Sequence, residues 1–140
     1  MTILSCYVAH HVSPQGNETL VGNLVNAGRW FDALTKAEPS VAFCMPWWVN
    51  LTLGCEDDAD AVQRSLGIAK SARLASQCDG IVLVGGRLSV GMMAEVDAVL
   101  AAGGWVADLT ACGVNPPPAC FAPVGSLLEM GRNEWARRAA

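Results

Sequence analysis

The chain has few charged residues and no cluster of positive charge. Charged residues make up 16% of its 140 residues, the formal net charge is −4, and the nine lysines and arginines are scattered. A protein that binds duplex nucleic acid neutralises many phosphates with a stripe of basic side chains. We therefore expect no duplex nucleic-acid partner, whereas a single phosphate on a small ligand needs only backbone amides and one or two arginines.

Several motifs that define common enzyme classes are also missing. The six cysteines form no Cys-x-x-Cys pair and have no histidine at zinc spacing, so we expect no metal site and treat the cysteines as small apolar residues. The glycine-rich fingerprints of dinucleotide and nucleoside-triphosphate sites are absent, and no serine lies in a Gly-x-Ser-x-Gly elbow. These absences argue against a hydrolase triad and predict no cofactor.

The N-terminal segment MTILSCYVAHH has neither a basic start nor a long apolar stretch. We therefore expect neither a signal peptide nor a membrane anchor, and we expect the protein in the reducing cytoplasm. Hydrophobic residues make up 52% of the chain, which suits one domain over residues 1–140. Because one domain of this size leaves some apolar surface uncovered, the five tryptophans and the apolar composition predict a homodimer or higher homo-oligomer.

Short apolar runs at 3–9, 40–45, 78–86 and 105–109 predict strands. The second run is followed by PWWVN, which we interpret as the start of a loop. The third run, CDGIVLVGG, has no charge between its Asp-Gly and Gly-Gly boundaries, as is typical of a central parallel strand covered on both faces.

Helical periodicity fills the segments between these runs. Asn17 is the predicted N-cap of the first helix, an acidic cluster caps the second, and Ser89 caps the third, which stops at Gly103. In the second helix Val62, Leu66, Ala69 and Arg73 form a stripe. The helices are predicted at about 17–38, 61–77, 89–103 and 126–138, with a rigid irregular connection over 115–123.

Strands and helices thus alternate along the chain. This order predicts an α/β protein with a three-layer Rossmann-like (flavodoxin-like) parallel sheet of 4–5 strands and helices on both faces. In such sheets ligands bind beyond the carboxyl ends of the strands, where the strand order reverses. The loops after the strands, among them GGRLSVG after the central strand, are therefore the candidate binding loops.

The segment GGRLSVGMMAE carries the clearest candidate for chemistry. Ser89 caps a helix, Gly91 allows a ligand to approach its first turn, and Glu95 lies on the same face. Two interpretations of Glu95 stay open from spacing alone. It is either a solvated helix glutamate or a carboxylate placed for a reaction.

A set of short motifs resembles the nucleoside 2-deoxyribosyltransferase superfamily. Tyr7-Val8-Ala9 ends the first strand, a polar loop leads to Asn17, a proline follows strand two, and CDGIVLVGG precedes S-x-G-x-x-x-E. The chain is similar above all to the small phage and bacterial members of that group, over about residues 3–110. The C-terminal thirty residues, with the helix at 126–138, lie outside the resemblance.

The resemblance implies an enzyme that binds a nucleoside or nucleotide and cleaves or transfers across its N-glycosidic bond. Glu95 would be the nucleophile that attacks the anomeric carbon, and Tyr7 would orient its carboxylate. Ser89 and Gly91 match the Ser-x-Gly that receives the 5′-phosphate in the monophosphate N-glycosidase branch. The candidate substrate-binding residues are His10, His11, Arg64, Gly85, Gly86, Ser89, Gly91 and Met92.

The chain departs from the family pattern in ways that leave alternatives open. His10 and His11 stand where relatives have Gly-Pro, and they are either structural or contribute a general acid or a phosphate contact. Ser89 stands where the transferase branch commonly has an aspartate, which argues against classical base exchange. Trp47 and Trp48 either stack on a base or serve as core or dimer contacts.

The charged residues before the second helix have two interpretations as well. Asp57, Asp58 and Arg64 are either solvated capping residues or reach the pocket, where Arg64 would contact a phosphate. For the whole chain, two further classes compete with an enzyme. One is a protein that binds a nucleotide or a nucleotide signal without chemistry, and the other is a structural phage or host-takeover protein with a vestigial pocket.

Overall fold

The computed structural model describes residues 2–118 and 125–140. Its sheet contains the parallel strands β1 (Leu4–Ala9), β2 (Val41–Cys44), β3 (Gly80–Leu83) and β4 (Trp105–Asp108), in the order β2-β1-β3-β4. Strands β1 and β3 are central, and β3 is buried along its whole length. The predicted α/β fold with a parallel, Rossmann-like sheet is confirmed.

Helices cover both faces of this sheet. Because crossover connections between parallel strands are right-handed, the helix between β1 and β2 lies on one face of the sheet, and the helices that lead to β3 and β4 lie on the other face. The long helix that leads to β3 packs against the helix that leads to β4, and the C-terminal helix packs against β4. In chain order the helices are α1 (Leu20–Ala37), α2 (Pro46–Thr52), α3 (Ala61–Ala75), α4 (Val90–Ala101) and α5 (Leu127–Ala139), with a 3-10 turn at Thr110–Cys112.

The segment PWWVN, interpreted as a loop, is helical, and that interpretation is wrong. Pro46 occupies the first turn of α2, where its fixed φ favours a helix. The indole of Trp47 donates to the carbonyl of Val8 at 3.0 Å, and that of Trp48 donates to the carbonyl of Leu24 at 2.7 Å. These two bonds to distant segments fix the helix against β1 and α1.

Local capping signals were mostly sufficient to place the helix starts. Ser89 Oγ accepts the Met92 amide at the start of α4, and Asp60 from the acidic cluster caps α3. The N-cap of α1 differs from the prediction. Thr19 rather than Asn17 accepts the Gly22 amide, at 2.9 Å, so the N-cap lies two residues later than predicted.

The packed face of α3 is not the predicted stripe. Val62, Leu66, Ala69 and Arg73 are all exposed. The helix instead turns small and polar residues toward its neighbours and buries Ala75. A stripe of larger apolar residues was therefore a misleading guide to the orientation of this helix.

The five described cysteines are free thiols. Cys6 is fully buried, in keeping with a small apolar role, and the sulfurs of the half-buried Cys44 and Cys78 lie 3.4 Å apart. Cys55 and Cys112 are exposed instead, because both lie in surface loops or turns. Cys120 and most of the connection predicted over 115–123 lie outside the described residues.

Among the described helices, none combines the length and apolar character needed to span a bilayer.

Candidate functional site

A cavity of about 260 Å³ lies at the carboxyl edge of the sheet. From β1 the chain passes to β2 on one side, and it later enters β3 on the other side of β1, so the strand order reverses between β1 and β3. Ligands of open parallel sheets bind at such a point. The cavity is bounded by the loop after β1, the loop after β3, the first turns of α4 and one face of α3.

Glu95 lies in the wall of this cavity. Met92, Val96 and Val99 form the buried stripe of α4, and the helical spacing places Glu95 on the same inner face. Its side chain is only 6% exposed, and burial raises the pKa of its carboxyl to about 8. Within the part of the chain that the structure describes, no cation forms an ion pair with it. The carboxyl is therefore mainly neutral at pH 7.

Tyr7 comes from the central strand β1 and is completely buried beside Glu95. The two groups interact, since the Tyr7 hydroxyl lowers the pKa of Glu95 as a hydrogen-bond donor would. Their geometry falls short of a full hydrogen bond, and among the described residues the hydroxyl has no partner of normal length and angle. Burial raises the pKa of Tyr7 first and the Glu95 charge raises it further. The structure thus brings together the two residues that the resemblance paired.

Ser71 on α3 is a third member of this group, and sequence reasoning missed it. Its side chain lines the cavity, and its hydroxyl lowers the pKa of Tyr7, which places it near the Tyr7 hydroxyl. Arg64, Gly67 and Ile68 line the cavity from the same helix. The spacing of these four residues is i, i+3, i+4 and i+7, so they share one helix face, and three of the four are small or polar, which a search for apolar periodicity passes over.

Arg64 reaches the cavity but is already engaged. Its guanidinium contacts the Ser13 hydroxyl and lies 3.5 Å from Asp58. Ser13 Oγ in turn donates to Asp58 at 2.9 Å. The interpretation of Asp58 and Arg64 as pocket residues therefore agrees with their position, while Asp57 also lines the cavity and is exposed.

Arg87, in the loop after β3, makes a bidentate ion pair with Glu18. Its Nε and Nη2 donate to the two carboxylate oxygens of Glu18 at 3.1 and 2.7 Å, and Nη2 also donates to the carbonyl of Ser13 at 2.9 Å. The Arg87 hydrogen bonds hold the pKa of Glu18 at about 2, well below its usual range. Sequence reasoning missed both partners, although Arg87 is the one charge in the candidate loop GGRLSVG.

The two histidines after β1 lie beneath the loops and do not line the cavity. Asn26 donates to His10 Nε2 at 2.9 Å, so Nδ1 carries the proton and donates to the His11 carbonyl at 2.6 Å. Burial lowers the pKa of His10 to about 4 and also lowers that of His11, whose Nε2 is 3.5 Å from Glu18. This placement fits a structural role better than contact with a phosphate.

The remaining predicted site residues divide into two groups. Ser89, Gly91 and Met92 line the cavity at the start of α4. Gly85 and Gly86 do not, and both have positive φ angles of 101° and 89°. A side chain at Gly85 would collide with the His10 ring and one at Gly86 would press on Val114, so close packing explains both glycines.

Of the two tryptophans after β2, one lines the cavity and the other does not. Trp47 lines the cavity, whereas Trp48 packs against Gly28 on α1.

Over the described ranges, no group of three or more histidine, cysteine, aspartate or glutamate side chains is arranged to hold a metal ion. No protein-family model, curated protein or solved structure matches this chain.

Proposed function

We propose that this protein cleaves the N-glycosidic bond of a nucleoside or nucleotide with Glu95 as the nucleophile, and that it belongs to the nucleoside 2-deoxyribosyltransferase superfamily. One observation carries the proposal. Glu95 is a buried carboxyl in a cavity at the switch point of the sheet, with Tyr7 beside it and no compensating cation in the described residues. Burying such a group is costly, and perturbed carboxyls in clefts are typical of catalytic sites.

The chemistry proceeds in two displacements. A carboxylate oxygen of Glu95 bonds to the anomeric carbon as the bond to the base nitrogen breaks, and the electron pair leaves with the base, which takes up a proton. Water then attacks the anomeric carbon, loses a proton and releases the Glu95 carboxylate. The sum is nucleoside plus water giving free base plus sugar, and an acceptor base in place of water gives transfer.

The neighbouring residues have separable roles in this proposal. Tyr7 orients the Glu95 carboxylate and stabilises its charge, and Ser71 positions the Tyr7 hydroxyl. Trp47 offers an aromatic wall for a base. Gly91 leaves space at the first turn of α4, where the sugar approaches the helix.

The direct test measures base release from a panel of 2′-deoxynucleosides, ribonucleosides and their 5′-monophosphates by liquid chromatography. We expect turnover of at least one member of the panel and a loss on the order of a thousandfold or more in Glu95→Gln. Asp97→Asn is the matched control, because it neutralises an exposed carboxylate two residues further along the same helix. Equal base release by wild type and Glu95→Gln would refute the nucleophile.

A second candidate function, binding without chemistry, is favoured by the raised pKa of Glu95. A neutral carboxyl donates a hydrogen bond, which suits recognition of a ligand acceptor at neutral pH. Thermal shift distinguishes the two functions. A binder gains stability with a nucleoside, shows no turnover and keeps the shift in Glu95→Gln, because glutamine retains a donor.

We also propose a homodimer or higher homo-oligomer in the reducing cytoplasm. Leu20, Val21 and Val25 on α1 are exposed apolar side chains, and such surface is often covered by a second subunit. Light scattering on a size-exclusion column tests the oligomer. A monomer at micromolar concentration would contradict it.

A further inference from the structure

Both cations that line the cavity within the described ranges are neutralised by acidic neighbours. Arg87 is held by Glu18 through two hydrogen bonds and by the Ser13 carbonyl through a third. Such a bidentate pair uses the fork of donors with which an arginine would otherwise bind a phosphate. Three of the five N–H donors of Arg87 are therefore engaged, and Glu18 neutralises the charge that would attract an anionic ligand.

Arg64 is committed in a comparable way. Its guanidinium contacts the Ser13 hydroxyl and Asp58, and the Ser13 hydroxyl also donates to Asp58. The serine thus links the arginine to the carboxylate. Both contacts are made by Nη1, and a phosphate bound to Arg64 would bring its negative charge close to that of Asp58.

The charge around the cavity is negative once these partners are included. Four carboxylates, those of Glu18, Glu56, Asp57 and Asp58, accompany three cations, Arg64, Lys70 and Arg87. A phosphomonoester adds a charge of roughly −1.5 to −2 at neutral pH. Like charges brought together without a free cation oppose binding.

We infer that Glu18 and Asp58 make this cavity select an uncharged nucleoside over the corresponding 5′-phosphate. The inference rests on the proposed function and narrows its substrate class. At the start of α4, Ser89 Oγ already accepts the Met92 amide at 3.2 Å, so that amide is not free for a phosphate. Glu18 and Asp58 act on specificity through the arginines that they neutralise.

The test compares kcat/KM and thermal shift for a 2′-deoxynucleoside and its 5′-monophosphate. In the wild type we expect the nucleoside to be preferred by about tenfold or more. Glu18→Gln keeps a hydrogen-bonding side chain beside Arg87 but removes the charge, so the ratio should move about tenfold toward the monophosphate. Glu129→Gln, an exposed residue of α5, makes the same change in net charge away from the cavity and should leave the ratio unchanged.

The possible outcomes separate the inference from the function on which it rests. A wild type that cleaves or binds the monophosphate better overturns the inference and leaves glycosidic cleavage standing. An unchanged ratio in Glu18→Gln overturns it as well. Absence of both turnover and thermal shift with either ligand overturns the proposed function itself. If Glu18→Gln fails to fold, Asp58→Asn tests the same effect through Arg64.

Discussion

The Tyr7 hydroxyl acts on the Glu95 carboxyl from the centre of the sheet, and each group shifts the pKa of the other. Strand β1 supplies the tyrosine and α4 supplies the glutamate, so the pair joins two elements that meet at the switch point. Burial outweighs the help from Tyr7 and leaves the Glu95 carboxyl mainly protonated at pH 7. Deprotonation of Glu95 therefore becomes the step that pH controls.

The first prediction concerns the pH dependence of base release. Because the proposed nucleophile is the carboxylate form of Glu95, kcat/KM should rise about tenfold per pH unit below a pKa of about 8 and level off above it. Tyr7→Phe removes a group that lowers this pKa, so its profile should be displaced to higher pH. Initial rates between pH 6 and 10 test both statements. A flat wild-type profile over this range would contradict the assignment of Glu95.

The second prediction concerns stability rather than turnover. Folded Glu95 holds its proton up to a pKa of about 8, whereas the unfolded chain releases it near the ordinary glutamate pKa of 4.5. The folded state thus binds more protons between these values, and the free energy of unfolding falls as pH rises through them, by at most about 1.4 kcal/mol per pH unit. Urea unfolding should show wild type losing stability relative to Glu95→Gln from pH 5 to 8. Parallel curves for the two proteins would rule this out.

The third prediction concerns Gly85. Its φ of 101° disfavours a side chain, and a Cβ there would lie 2.6 Å from His10 Nε2. Gly103 has a similar φ of 83° but open space around it, so Gly103→Ala measures the backbone cost alone. We expect Gly103→Ala to cost about 1 kcal/mol and Gly85→Ala to cost about 2 kcal/mol more in chemical unfolding. Equal losses would mean that the His10 contact has no energetic weight.

The fourth prediction concerns the attachment of α5. The guanidinium of Arg138 contacts Asp108, whose buried carboxylate also accepts hydrogen bonds from the Thr110 amide and hydroxyl. Arg138→Met should reduce the free energy of unfolding by about 2 kcal/mol, a value discounted because the arginine is partly exposed. The neighbouring Arg137 pairs with Glu134 on the surface of the helix, so Arg137→Met should have no measurable effect. Indistinguishable stabilities for the two variants would contradict a specific role for Arg138.

Local signals explain why the central part of the fold was predictable. The uncharged run before Gly85 is typical of a central strand in a parallel sheet, and it is one. Ser89 marks the start of α4 because its hydroxyl accepts the amide of Met92, three residues further on. Together they also placed Glu95 on the correct helix. The buried face of that helix does not follow from its own apolar residues, because Val90 and Leu100 are exposed while Glu95 is buried.

The parts that failed depend on distant contacts. The segment PWWVN has no strong local preference, and its helix is fixed by indole bonds to Val8 and Leu24. The orientation of α3 follows from a cavity that it must line, which favours Gly67 and Ser71 over larger apolar residues. Glu18 and Arg87 are 69 positions apart in the sequence, and no sequence pattern indicates that two charges at that separation form a pair.

That same ion pair has a consequence for the energetics of ligand binding. Glu18 precedes α1 and Arg87 precedes α4, so their two hydrogen bonds tie together two of the loops that bound the cavity. The loops lose their conformational entropy when the chain folds, before any ligand arrives. These two loops are therefore preorganised, and a ligand that binds in the cavity spends little of its interaction energy on ordering them.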